Sequence, residues 1–210
     1  MAAMDQGKLN SMCSKINSAA TQYVSNVNTE VNNMVTSFNT NWVSEASKKL
    51  ATEIGECLES LATAIKSTFD AKNTDISTAV SNFNAVEEES ISYPGFNFGK
   101  PSTTLSLNAN LPNGKKGVAE GADLSSIETP MTSLISKVDG ALDNVNSAVK
   151  SSDAFNSAEV NALSSSITKI KSTFDTSMAE LKSSLSTRMS GEISTRQSLD
   201  KNIVSTLGNS

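Results

Sequence analysis

Apolar residues recur along this chain at steps of three and four. From Leu9 they run through Met12, Ile16, Ala19, Tyr23, Val27, Val31, Met34 and Phe38, one stripe of an amphipathic helix. The stripe stops at "NTNWVSE" and resumes at Val43, Ala46, Leu50, Ile54, Leu58, Leu61, Ile65 and Phe69, continuing through Ile76, Val80 and Phe83. A third stripe runs from Ile127 to Val149. A fourth runs from Val160 to Ile193 and picks up again at Leu199, Ile203 and Leu207. Helices this long are typical of hairpins and bundles. Ser44 is placed to cap the second helix, without the Glu or Gln of a full capping box, and Asn156 or Ser157 to cap the fourth.

Residues 91–122 break the pattern. They hold Pro94, Pro101 and Pro112, and the aromatics Tyr93, Phe96 and Phe98. "TLSLNANL" alternates apolar and polar positions like a strand, and "PNGKKG" after it reads as a turn. The expected fold class is all-α: two long antiparallel helical hairpins forming a four-helix bundle, with a loop or β-hairpin insert between them. The expected units are a hairpin over residues 1–90, a linker or small β element over 91–122, and a second hairpin over 123–210.

The two hairpins are related by an internal repeat. "IKSTFD" occurs at Ile65–Asp70 and again at Ile170–Asp175, while "NVNTEV" at 26–31 is echoed by "NVNSAV" at 144–149. The offsets are 105 and 118 residues. The difference, 13, is close to one heptad lost from each arm of the second hairpin, which would keep its stripes in register. Phe69 and Phe174 are expected in the core, with Lys66 and Lys171 exposed. The same alignment sets Phe155 against Trp42, each where one helix gives way to the next. A ring there can close the hairpin's end or stand exposed as a partner contact.

Composition narrows the function. The net charge of −5 and a pI near 4.8 argue against a nucleic-acid partner. No apolar run is long enough to span a membrane, and "MAAMDQGKLNSMCSK" contains no apolar segment of the secretory-signal kind. The chain has no histidine, so Ser-His or Cys-His catalysis is excluded. Cys13 and Cys57 are too isolated for a metal site and, at mismatched levels of the first hairpin, are expected as free thiols. The carboxylates of "VEEES" at 86–90 diverge around a helix rather than converge on an ion. No catalytic, cofactor or metal residues are assigned. The candidate partner-binding residues are Trp42, Phe155, Tyr93, Phe96 and Phe98, for a protein partner or self-association.

A hairpin with a tryptophan at its bend, in a Ser-, Asn- and Ala-rich chain, resembles the Trp-x-Gly family of type VII secretion substrates. Trp42, Val43 and Ser44 carry the likeness. Ser44 stands where that family has glycine, and the second unit has Phe155-Asn156-Ser157. Tyr93 is followed four residues on by Asn97 rather than by the acid of the family's export signal. The resemblance implies a secreted, non-enzymatic interaction protein without a cleavable signal peptide, present as a tandem, degenerate copy. The alternative is a structural subunit of a filament, virion or envelope assembly, cytoplasmic or assembled into a particle.

Overall fold

The computed structural model describes residues 5–88, 90–152 and 157–208, apart from the side chains of 157–159 and 203–208. The protein is 78% helical. Four helices carry the bundle: α1 (Gln6–Asn41), α2 (Glu45–Glu87), α3 (Ser125–Lys150) and α4 (Ser157–Gly208). Two strands of two residues each, β1 (Trp42–Val43) and β2 (Gly117–Val118), pair antiparallel.

Buried positions recur every seven residues, as at Ile127, Leu134, Ala141 and Ala148 on α3, and also every eleven. On α1 the series are Leu9, Ala20, Val31, with Trp42 continuing it past the helix end, then Met12, Tyr23, Met34, and Ile16, Val27, Phe38. On α2 the series Ser47, Leu58, Phe69, Val80 has the same period, as do Ile127, Val138, Val149 on α3 and Leu163, Phe174, Leu185 on α4. Both intervals are built from the same steps of three and four along one helix face.

Asp5 caps α1 by accepting from the Lys8 amide at 2.9 Å. Ser44 caps α2, and the capping box is complete after all. Ser47 stands in for the missing Glu: its amide donates to Ser44 Oγ at 3.2 Å, and its hydroxyl accepts from the Ser44 amide at 2.8 Å.

Residues 90–116 return the chain along the bundle. Glu88 turns out of α2 in the left-handed conformation (φ 52°), and the strap that follows runs back beside α1 to the Trp42 bend, where β2 joins β1. The chain therefore runs up, down, back up as a strap, down, and up. The two hairpins of the bundle are thus joined by one long crossover. The strand signal at 104–111 is fulfilled as extended chain, with burial alternating through Leu107, but it makes no hairpin. The turn at 111–115 closes (Leu111 amide to Lys115 carbonyl, 2.8 Å), and the returning chain pairs with Trp42–Val43 instead.

The two repeat units pack about a pseudo-twofold axis. Glu30 on α1 meets Lys137 on α3, and Lys137 is the repeat equivalent of Ala19. Ala19 in turn lies beside Ala148, the equivalent of Glu30. Between α2 and α4, which run antiparallel with Glu53 bonded to Arg188, Thr68 meets its own equivalent Thr173 across one groove. This is the self-complementary arrangement of a twofold dimer, realised here within one chain. Both aromatics of "IKSTFD" are buried, Phe69 at 1% and Phe174 at 3% exposure, and one continuous core joins both hairpins and the strap.

Candidate interaction site

The axis is broken by the strap. α3 and α4 pack directly, with Ser164 donating to Asn146 at 2.6 Å and Lys171 to Asp143 at 2.8 Å. Along the equivalent face of the first unit, the strap lies between α1 and α2 and bonds to both.

Its seating follows from two periods that match. Gln6, Asn17, Asn28 and Asn39 stand eleven residues apart on α1, on one line of the helix. Each side-chain oxygen accepts from a strap amide: Ser92 at 2.6 Å, Asn97 at 2.9 Å, Ser102 at 2.6 Å and Asn108 at 2.7 Å. Eleven helical residues rise about 16.5 Å, and five extended residues span about the same length. The rungs therefore stay in step with strap residues five or six apart. Gln6 and Asn17 also donate to the strap carbonyls of Ser92 and Gly95.

From the other side α2 supplies Asn84, which both donates to and accepts from Ile91 (2.8 and 3.0 Å). Asn73 accepts from Tyr93 Oη at 2.6 Å and from the Phe96 amide at 3.2 Å. Glu59 accepts from Lys100 at 2.6 Å and Thr103 at 2.9 Å, two donors that hold its carboxyl below the usual range. The strap comes so close at Gly55 that a Cβ there would lie 2.6 Å from the Thr103 carbonyl oxygen.

Between the rungs, alternate strap side chains enter the core. Phe98 stacks on Phe69 with ring centroids 4.2 Å apart and sits 6.3 Å from Tyr23. Phe96 meets Phe69 and Tyr93 edge-on at 6.1 and 6.5 Å. Leu105 and Leu111 follow them inward. Burial pushes the phenols of Tyr23 and Tyr93 well above their ordinary range.

Trp42 is fully buried at the bend. Its indole Nε1–H donates to Glu192 Oε2 on α4 at 2.9 Å, and Ser44 Oγ donates to the other oxygen of that carboxylate at 2.6 Å. Arg196 reaches the Val118 carbonyl at 3.0 Å. The bend of the first unit is thus locked onto the last helix of the second.

Of the residues singled out in the sequence, Tyr93, Phe96 and Phe98 are brought together by the strap. Trp42 lies at the other end of the bundle, and Phe155 lies outside the described residues. Trp42, Phe96 and Phe98 are buried in the chain's own packing, so none of the three is a free surface anchor in this conformation; Tyr93 is half-buried. Sequence reasoning missed Gln6, Asn17, Asn28, Asn39, Asn73, Glu59 and Glu192. The eleven-residue spacing on α1 was the available signal for the first four.

Two charged clusters stitch the units together. Glu30, 3% exposed, accepts from Ser133 at 2.9 Å, from Asn33 at 3.0 Å and from Lys137. Burial alone would raise its pKa, but these three donors outweigh burial and lower it. Lys171 lies between Asp143 (2.8 Å) and Asp139 (3.8 Å) on α3. Burial and the charge of Asp175 raise the Asp139 pKa against the pull of Lys171. Lys171 is therefore not the free surface charge expected; its equivalent Lys66 is, paired only with Asp70 along its own helix. Both cysteines are free thiols, and burial pushes Cys57 up to about 11. Among the described residues no three metal-binding side chains cluster, and no helix is long and apolar enough to cross a membrane.

No family model, no curated protein and no solved structure matches this chain.

Proposed function

We propose that this chain is a non-enzymatic interaction protein, exported as a folded bundle without a cleavable signal peptide in the manner of the Trp-x-Gly substrates of type VII secretion. The observation that carries the reading is the pseudo-twofold pairing of two hairpins, one with a buried tryptophan at its bend. The tandem chain holds within itself the four-helix unit that small hairpin proteins reach by dimerising. Ser44 at the family's glycine position fits this bend, because its hydroxyl caps α2 and binds Glu192. Expression in the native host, with the chain recovered from the medium and lost from it when the secretion ATPase is deleted, is the expected result. Retention in the cells of both strains contradicts the reading.

A second reading, a structural subunit of an assembly, draws on α4. From Glu192 at the bend it runs on to Gly208, about 24 Å of helix, and Leu199 on that stretch is 57% exposed. Sedimentation velocity separates the two: a size independent of concentration favours the exported bundle, and polymers growing with concentration favour the subunit.

A further inference from the structure

We infer that the groove between α1 and α2 is a peptide-binding site, occupied in cis by the chain's own strap and open in trans to the strap of a second copy. The inference stands on the groove's geometry and does not rest on the secretion reading.

Three features support it. First, the strap is held as a bound peptide is held. Helix side chains read its backbone at regular intervals, and aromatic anchors two residues apart, Phe96 and Phe98, fill a pocket walled by Tyr23 and Phe69. The described strap residues share no backbone ladder with either helix, so each contact is a discrete side-chain bond. Second, the second unit of the repeat closes its equivalent α3–α4 face directly, without a filler. The wide α1–α2 groove is therefore a property of the occupied state. Third, charge favours the occupant: from Ser90 to Ala119 the chain carries Lys100, Lys115 and Lys116 and no acid, within a molecule of net charge −5. Lys100 meets Glu59 inside the groove, and Lys116 approaches Glu45 at 4.0 Å.

The ligand is accordingly an extended, weakly basic peptide with two aromatic residues at i and i+2 and free backbone amides every five to six residues. Residues 90–108 of this chain satisfy every requirement. In the intact molecule the tethered strap competes at an effective concentration on the order of millimolar, so binding in trans requires the strap to leave or be weakened.

The test uses a fluorescein-labelled synthetic peptide of residues 90–108 and the full chain, read by anisotropy. A Phe96→Ala/Phe98→Ala chain, whose own strap has lost its anchors, should bind the peptide at least tenfold more tightly than the native chain. Adding Asn17→Ala and Asn28→Ala on α1 should remove that gain. No binding to the anchor variant while its helical circular dichroism persists, or binding indifferent to the asparagines, overturns the inference. Should the anchor variant fail to fold, hydrogen exchange on the native chain decides. The amides of Ser92, Asn97, Ser102 and Asn108 should exchange at least tenfold faster than the core amides of α1. Exchange at the α1 rate would mean the strap leaves only on global unfolding, and would refute the site.

Discussion

Glu30 and Lys171 show how single charges stitch two repeat units together. Because Glu30 has a lowered folded pKa, its contribution is fully present above the unfolded glutamate value and is lost as pH falls through the folded one. Glu30→Gln should lower stability at pH 7 by about 1.5–3 kcal/mol, the range for hydrogen bonds to charged groups. Thermal melts of the two proteins should then converge as the pH is taken down toward 3. A gap that stays constant with pH would mean the ionised form is not what Lys137 and Ser133 hold. Lys171 makes the complementary case. Its side chain is 21% exposed against 55% for Lys66, and removing it leaves Asp139, Asp143 and Asp175 facing one another. Lys171→Ala should destabilise clearly more than Lys66→Ala, whose exposed pair is worth about 0.5 kcal/mol or less. Equal denaturation midpoints would contradict this placement.

Among the elements, the helices were legible in sequence and the strap's route was not. The three-and-four spacing fixed where α1 to α4 run, and Asn39 to Ser44 marked the bend, because both are local consequences of backbone period and capping. The alternation at Leu105, Leu107 and Leu111 correctly announced extended chain. What it withheld was the partner. Pairing between Ser102 and Asn28, or between Trp42 and Val118, joins residues far apart in sequence, and period two is the same for a hairpin strand and for a strap in a helical groove. Gly55 tests that route. Alanine gains about 1 kcal/mol of helix propensity over glycine, yet its Cβ would lie 2.6 Å from the Thr103 carbonyl, an overpacking of the kind that costs about 1–3 kcal/mol. Gly55→Ala should therefore lower the denaturation midpoint and speed amide exchange at Ser102. A variant more stable than the native chain would show that the strap does not pass there.

At the scale of the whole molecule, the repeat decides which faces meet. The pseudo-axis brings like faces together, so the α2–α4 groove of about 750 Å³ is lined from both units, by hydroxyls such as Thr68 and Thr173 and by charged residues such as Glu53, Glu180 and Lys169. The candidate residues named from sequence were aromatics, chosen for size, and the fold uses Trp42, Phe96 and Phe98 to join elements. Their importance was readable, while their burial depended on Glu192 and Phe69, which no local pattern connects to them. The central claim is that both hairpins form one cooperative body with the Trp42 bend locked on α4. The single tryptophan reports on that junction directly. Urea unfolding followed by Trp42 fluorescence and by far-ultraviolet circular dichroism should give coincident transitions from a blue-shifted native spectrum. A red shift of Trp42 at lower urea, with the helical signal intact, would show the hairpins to be separate bodies and contradict the account.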